Sequence, residues 1–454
     1  MPVTKPNDAS GFARRVKLTE GAVHTRLIAL TVPMIWGILV IIAFNLIDTF
    51  FVGQLGTQEL AAFSFTFPVV MVVGSLAFGL GTGSSSVVAR AIGERDHERV
   101  QRLATDSLLL SVVIVGVVIV VGLLTIDPLF RLLGAQPELL PLIRDYMKIW
   151  YPGMLFLVIP MVGSGVIRAT GNTAFPSLLM TVAAVVNAIL DPLLIFGLAG
   201  FPRLELQGAA IATVIARGVT LLASLAVLYF RERLLVFCLP PRQRLLDSWK
   251  RILHVSLPAA GSAMVNPISV GITISLLAPF GAEAVAAFGI ATRIEAFALI
   301  VLLALASSIG PFVGQNWGAR QYRRVVAAVR LSSLFSLVWG LLMALLLGIN
   351  ATLIAGVFND NPDVIAIARL YLLLVPVSYG ANGIILLSSA VFNALGKPLP
   401  ATVITVTRWL ILYIPMALTG GYLFGVAGVF AAVCLANFAV GLAAFVWNQK
   451  VCRP

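Results

Sequence analysis

The sequence predicts an all-α polytopic membrane protein with twelve transmembrane helices in two six-helix lobes. Composition, long apolar runs and an internal repeat predict this class. Of the 454 residues, 59% are hydrophobic and only 11% are charged, and the mean hydropathy is +1.01. A soluble domain usually carries about 25% charged residues. The net charge of +12 therefore indicates the basic loops of a membrane protein and no nucleic-acid partner.

Apolar runs long enough to cross a bilayer as helices recur along the whole chain. The polar segment at the N-terminus lacks the apolar core and the cleavage site of a signal peptide. Cutting the chain at polar and Gly/Pro clusters predicts twelve spans, at about residues 28–50, 60–88, 105–126, 141–166, 176–198, 207–230, 252–277, 284–311, 331–351, 366–391, 400–420 and 426–447.

Lys and Arg cluster in alternate loops, whereas the opposite loops hold mostly acids such as Asp127, Glu138 and Asp360. The positive-inside rule then predicts that both termini are cytoplasmic. The predicted organisation is a cytoplasmic tail (1–27), an N-lobe (28–230), a cytoplasmic inter-lobe linker (231–251), a C-lobe (252–447) and a second cytoplasmic tail (448–454).

The two halves of the chain can be laid over each other with a constant shift of 225 residues. Matching pairs are Pro33 and Pro258, Gly56 and Gly281, Gly93 and Gly318, Arg95 and Arg320, Tyr146 and Tyr371, and Gly171 and Gly396. Each half holds six spans, so both halves run the same way, as a parallel repeat related by a pseudo-two-fold axis along the membrane normal. Two such lobes suit transport by alternating access, with the substrate near mid-membrane between them.

Few of the acids fall well inside predicted spans, and Asp48, Asp191 and Glu295 are those that matter here, whereas Asp106 lies at the start of the third span, near the cytoplasmic face. A charge at the bilayer centre costs about 2.5–3.5 kcal/mol, so such groups usually face a cavity or a partner. Asn45 precedes Asp48 by three residues and Asn187 precedes Asp191 by four, which puts each amide and carboxyl on one helix face. The two aspartates, neither of them duplicated by the repeat, are predicted to form a proton site or a small oxygen-lined Na⁺ site.

Each of three further residues within predicted spans is compatible with two interpretations. Glu295 and Arg408 are candidates for a charge pair or for contacts with a substrate. Pro33, on the same span as Asp48, is either a tolerated kink or a conformational hinge. The three cysteines have a spacing that indicates neither a metal site nor a disulfide framework, and they are Cys238, Cys434 and Cys452.

Several motifs, in order along nearly the whole chain, resemble the MATE family of multidrug and toxic compound extrusion transporters. They read NLIDTFFVGQLGTQELAAFSFTFPV, VIRATGNTAFPSLLM, VVNAILDPLLIFG and LQGAAIATVIA. The chain is most similar to the bacterial DinF-type branch, and the resemblance implies the MATE/MOP-type fold. It also implies a cation site at four positions, which are Asp48, Asn187, Asp191 and Thr213, with Tyr146 where members of that branch can place a tyrosine in the network. The acidic ligands that the other bacterial branch carries in its seventh and tenth helices are absent here.

The resemblance implies a multidrug efflux antiporter that exports amphipathic organic cations in exchange for H⁺. Na⁺ is the alternative coupling ion, bound at the same four residues. No enzymatic activity, resident metal or cofactor is expected. We expect a monomer in the inner membrane of a bacterium, with the lipid bilayer and small cationic drugs or toxins as its partners.

Three other functions fit the sequence less well than antiport. A flippase for lipid-linked oligosaccharides shares the architecture but needs several cations in its cavity, and Arg408 is the one cation found at depth from the sequence. An intramembrane aspartyl protease also uses two aspartates, but its usual sequence contexts around them are absent. A receptor or scaffold gives no reason for paired intramembrane acids.

Overall fold

The computed structural model describes residues 16–236 and 241–452, and these residues are helical or irregular, with no β-strand. The outer parts of both predicted tails, the middle of the predicted linker and Cys238 lie outside the described residues.

Seven α-helices lie within residues 16–236. They are α1 (Val23–Gly53), α2 (Thr57–Gly93), α3 (His97–Leu124), α4 (Ile126–Leu132), α5 (Leu140–Ala169), α6 (Ala174–Phe196) and α7 (Glu205–Ala226). Short turns of 3₁₀-helix occur at Val16–Thr19 and Leu198–Gly200, and α7 continues into a π-helical turn at Val227–Arg231.

Eight α-helices lie within residues 241–452. They are α8 (Arg242–Leu277), α9 (Ala282–Gly318), α10 (Tyr322–Ile349), α11 (Ala351–Phe358), α12 (Pro362–Leu374), α13 (Tyr379–Ala394), α14 (Pro398–Val406) and α15 (Ile414–Val451). A 3₁₀ turn at Val375–Ser378 joins α12 to α13, and a π-helical segment at Thr407–Tyr413 joins α14 to α15.

The helices confirm the predicted number of spans. In the described residues, eleven helical stretches are long and apolar enough to cross a membrane, and the last of them runs from Pro398 to Val451. That stretch is broken at Gly425, where φ is 61° and only glycine adopts the conformation freely. The break divides the last stretch into two spans, so the total is twelve.

Local signals in the sequence explain where several helices begin and end. The Asp96 side chain caps α3 by accepting from the backbone N–H of Arg99 at 3.0 Å. Asn361 caps α12 in the same way, with Pro362 at the first helical position. Gly197 ends α6 in the left-handed conformation, with φ 72°.

The repeat that the sequence predicts is visible in the backbone. The short helices α4 and α11, which the sequence analysis did not predict, begin at Ile126 and Ala351, and these positions are related by the shift of 225. Left-handed backbone conformations also recur at that shift, in the pairs Gly56 and Gly281, Arg95 and Arg320, and Gly171 and Gly396. Because arginine adopts a positive φ only at a cost, the pair Arg95 and Arg320 is strong evidence that the two halves share one fold.

The chain divides into two compact units. The first unit holds Trp36–Ala260, and the second holds Leu18–Ile35 together with Gly261–Pro454. The two changeover points, after residues 35 and 260, are again related by the shift of 225. These units differ from the predicted lobes (28–230 and 252–447), because the first part of α1 belongs to the second unit and the first part of α8 to the first unit.

Packing explains this exchange of half-helices. Leu27 and Leu30 of α1 lie in one buried cluster with Leu305 and Ile309 of α9. In the first unit, the predicted linker is helical from Arg242 onward, and the Trp249 indole N–H donates to the Asp106 backbone carbonyl at 3.2 Å.

An ion pair holds the short helix α4 against α5. The Arg144 guanidinium donates two hydrogen bonds to the Asp127 carboxylate, at 3.0 and 2.6 Å. These bonds lower the pKa of Asp127 below its usual 3.8. Both side chains remain accessible to solvent, so the pair orients α4 more than it stabilises the fold.

A close helix crossing inside the first unit leads to a stability prediction. A Cβ added at Gly165 of α5 would lie 2.4 Å from the backbone oxygen of Gly81 on α2, and a backbone atom cannot move aside. We therefore expect Gly165→Ala to lower the free energy of unfolding by about 1–3 kcal/mol, measured by denaturation in mixed micelles. Gly116→Ala on α3 is the matched control, because nothing lies within 4 Å of its added Cβ, and it should be neutral or slightly stabilising. Equal effects of the two substitutions would contradict the role of this crossing.

Candidate functional site

A cavity of about 290 Å³ lies inside the first unit, between α1, α2, α5 and α7. Its lining includes the aromatic residues Phe44, Phe63, Phe67, Tyr146 and Trp150. Polar side chains, among them Asp48, Thr213 and Arg217, share the same wall. Apolar and aromatic side chains with placed polar groups are typical of sites that bind small organic molecules.

Asp48 lies on this wall, in the half of α1 that belongs to the first unit. One of its carboxylate oxygens is buried and has no hydrogen-bond partner among the described residues. Asn45 lines the same cavity, as the spacing of three residues predicts. No hydrogen bond joins the side chains of Asn45 and Asp48 in the described part of the chain. Asn45 instead contributes its backbone oxygen, which accepts from the Thr49 hydroxyl at 2.8 Å.

The second predicted acid belongs to a hydrogen-bonded array between α6 and α7. The Asn187 amide donates to the Asp191 carboxylate at 3.0 Å and to the Thr213 hydroxyl at 3.5 Å. Asn187 and Asp191 are fully buried, and each keeps one oxygen that no described residue contacts by a hydrogen bond. The array reaches the cavity at Thr213, which lies on the same wall as Asp48.

Tyr146 of α5 is buried beside the two acids. Its ring packs edge-on against Phe63, with 5.7 Å between centroids, and it forms part of the cavity wall. The charges of both Asp48 and Asp191 act on its hydroxyl. Three of the residues predicted for the site therefore share the cavity wall with Asp48, namely Asn45, Tyr146 and Thr213. Asn187 and Asp191 are connected to that wall through the hydrogen bond from Asn187 to Thr213.

The structure adds Arg217, which the sequence analysis missed. Its guanidinium lies 5.0 Å from the centre of the Phe44 ring, on the cavity wall. Its charge interacts with Asp48, yet no ion pair within 4 Å joins them among the described residues, and the arginine Nε has no hydrogen-bond partner there. The available sequence signal was the spacing, since Arg217 follows Thr213 by four residues on one face of α7.

The two other predicted charges lie together in the second unit. The Tyr371 hydroxyl donates to the Glu295 carboxylate. The Arg408 guanidinium is buried and stacks over the Trp409 ring at 4.5 Å from its centre. The charges of Glu295 and Arg408 interact, although no ion pair within 4 Å joins them among the described residues.

The second unit has a neutral pair where the first unit has its acid. Thr273, which the repeat places at the position of Asp48, shares a hydrogen bond of 2.7 Å with the Tyr413 hydroxyl. Pro33 lies inside α1, two residues before the chain passes from the second unit to the first. That position is compatible with the predicted hinge, which stays a prediction.

Two repeated halves of six spans, with a cavity in one unit whose wall carries an acid and an arginine that no described residue pairs, are typical of polytopic membrane transporters. Family comparison then gives the particular class. The family model described as MatE matches residues 33–193 and 258–419, two segments whose starts are again 225 residues apart. The chain belongs to the MATE family of multidrug and toxic compound extrusion transporters, which are not enzymes.

Individual relatives cover nearly the whole chain. It is 40% identical to a protein of Shewanella oneidensis named FAD transporter, over 94% of this chain and 95% of the relative. It is 27% identical to the probable multidrug resistance protein YoeA of Bacillus subtilis, over 89% and 90%. Among solved structures, the Vibrio cholerae MATE transporter VcmN in the bent form matches with a TM-score of 0.89 and 34% identity, over 98% of each chain. The predicted family and fold are confirmed.

Proposed function

We propose that this protein exports small aromatic compounds from a bacterial cell in exchange for protons. The observation that carries the proposal is a buried oxygen of the Asp48 carboxylate, which has no hydrogen-bond partner in the described part of the chain and lies on a cavity wall that includes several aromatic residues. A carboxylate in that position binds either a proton or a substrate group, and the two exclude each other. Mutual exclusion at one site is what an antiporter needs. The protein would act in the inner membrane, with both termini in the cytoplasm, as the distribution of basic loops indicates.

In the proposed cycle, protons from outside bind Asp48 and Asp191. Asn187, which also bonds Thr213, orients Asp191, and the Tyr146 ring forms part of the cavity wall. Protonation removes negative charge from the cavity, α1 bends near Pro33, and the substrate leaves outward. Release of the protons to the cytoplasm resets the site. The electrical part of the gradient supplies about 2.3 kcal/mol per 100 mV for each charge that crosses.

Protons are favoured over Na⁺ as the coupling ion. Three buried oxygens without partners, on Asp48, Asn187 and Asp191, would also suit a small cation. However, the charge of Arg217 already acts on Asp48, and it opposes a second fixed cation in the same cavity. A proton neutralises the carboxylate without needing a shell of ligands.

Amphipathic organic cations are the first candidate substrates. Asp48 supplies the negative charge and the aromatic wall supplies faces for cation–π contacts. Protonation of Asp48 would leave Arg217 as the uncompensated charge of the cavity, which would repel a bound cation. The relatives named multidrug resistance or multidrug export proteins support this class.

A flavin dinucleotide is the second candidate substrate. It is favoured by the relative named FAD transporter, which is 40% identical over almost the full length. Arg217 in the cavity wall also favours it, because a site for cations alone gains nothing from a buried guanidinium.

The test uses purified protein in proteoliposomes with an imposed pH gradient or an imposed Na⁺ gradient, one at a time. Ethidium and FAD are the two probes. We expect efflux of at least one probe to follow the pH gradient and to ignore the Na⁺ gradient. Efflux that follows only the Na⁺ gradient would show that Na⁺, and not H⁺, is the coupling ion. Efflux that responds to neither gradient would refute antiport.

A further inference from the structure

We propose that the first-unit cavity recognises a planar heteroaromatic ring by an edge on which an N–H group lies next to a carbonyl. Asp48 would accept from the N–H, and Arg217 would donate to the carbonyl. This inference rests on the proposed function, and it names the chemistry of the substrate at the same site.

The two charged groups are the first observation. Buried charges are normally paired, because an unpaired charge in an apolar site is costly. Asp48 and Arg217 line one cavity, yet no ion pair within 4 Å joins them, and each has a buried polar atom that no described residue satisfies. A ligand in the cavity that offers a donor to one group and an acceptor to the other satisfies both.

The shape and the wall of the cavity are the second observation. Its volume of about 290 Å³ lies at the lower end of the range for sites that bind small molecules, about 300–1,000 Å³. That volume suits one fused ring system and is too small for a whole dinucleotide. Phe44, Phe67 and Trp150 supply aromatic side chains to the wall, and the Arg217 guanidinium lies over the Phe44 ring.

The isoalloxazine ring of a flavin has the required edge, with an imide N–H between two carbonyl groups. Simple organic cations such as ethidium have no such edge. The inference therefore separates the two substrate candidates by a hydrogen-bonding pattern rather than by charge.

The same contact couples binding to protons. A protonated Asp48 carboxyl loses the charge that makes it a strong acceptor for the ring N–H, so the ring binds more weakly as the site takes up a proton. The charged and titratable groups nearest in the structure come from the neighbouring helices. Arg217 of α7 and Tyr146 of α5 line the same cavity as Asp48, and Asp191 of α6 belongs to the hydrogen-bonded array that reaches the wall at Thr213.

The experiment measures binding of riboflavin and of its N3-methyl derivative to the full-length protein in detergent, by quenching of flavin fluorescence. The methyl group removes the imide N–H and leaves both carbonyl groups. We expect the derivative to bind at least tenfold more weakly, because a buried acceptor is then left without its donor. Arg217→Gln should weaken riboflavin binding by a similar factor, and Arg217→Lys should restore part of it. Arg203→Gln, at an exposed arginine, is the matched control and should leave binding unchanged.

The pH dependence gives a second readout. In the wild type, riboflavin binding should weaken as the pH falls. In Asp48→Asn the side-chain oxygen still accepts a hydrogen bond but no longer titrates, so binding should persist and lose this pH dependence.

Equal binding of the two flavins, or an unchanged pH dependence in Asp48→Asn, would overturn the inference. Proton-driven ethidium efflux alongside either result would leave the proposed antiport standing. Tight, N–H-dependent flavin binding without proton-driven efflux would instead refute antiport and keep the ring site.

Discussion

The Asp48→Asn variant is expected to lose proton-driven efflux down to the rate of liposomes that contain no protein. An amide is nearly isosteric with a carboxyl, but it cannot take up a proton at any physiological pH. The pH gradient therefore can no longer change the charge of this side chain. The measurement is efflux of ethidium and of FAD from proteoliposomes under an imposed pH gradient. The large effect is expected because the described part of the second unit offers Thr273, which cannot be ionised, at the position equivalent to Asp48.

Asp145→Asn is the matched control for this prediction. Asp145 is an exposed acid on α5, next to Tyr146 in sequence, and its substitution removes the same charge outside the cavity. Wild-type efflux in the control and background efflux in Asp48→Asn would localise the coupling to the cavity. Undiminished proton-driven efflux in Asp48→Asn, at normal expression, would remove Asp48 from the mechanism.

The Arg408→Leu variant is expected to destabilise the protein by about 1–3 kcal/mol. Arg408 is buried and Glu295 is half-buried, and the substitution leaves that carboxylate without a nearby positive charge. The variant would leave Glu295 with the Tyr371 hydroxyl and without the nearby positive charge. The measurement is the free energy of unfolding in mixed micelles, followed by tryptophan fluorescence.

A double-mutant cycle makes this second prediction specific. If the penalty comes from the isolated charge of Glu295, the double variant Glu295→Gln/Arg408→Leu should recover much of the stability that Arg408→Leu loses. Arg369→Leu, at an exposed arginine of α12, should change stability by no more than about 0.5 kcal/mol. Strictly additive effects of the two substitutions would show that Glu295 and Arg408 act independently.

The acidic residues of the site are predictable from the sequence, whereas its arginine is not. Asn187 and Asp191 were predictable because they are four residues apart on one helix, and the structure joins them by a hydrogen bond of 3.0 Å. The same spacing rule puts Asn45 and Asp48 on one wall but does not make them bond, because side-chain torsions decide that. Arg217 was not predicted because Asp48, with which it lines one cavity, lies on a helix distant along the chain.

The exchange of half-helices was also beyond the sequence. Apolar periodicity shows that α1 and α8 are helices, and it gives no sign that each one packs partly in the other unit. The short helices α4 and α11 were missed for a related reason, since seven or eight residues are too few to show a helical period.

The sequence alone determined the spans, their number and the repeat, because a bilayer demands about 20 apolar residues per helix and a duplicated fold repeats its turn residues at one shift. It also indicated that Asp48, Asp191 and Glu295 need a special environment, since each is a charge in an apolar run, whereas the burial of the Asp106 side chain is seen only in the structure. Only the tertiary structure decided which charges meet. The cavity with Asp48 and Arg217 is formed by residues from four helices, and the distances between helices are set by side-chain packing that no local pattern encodes.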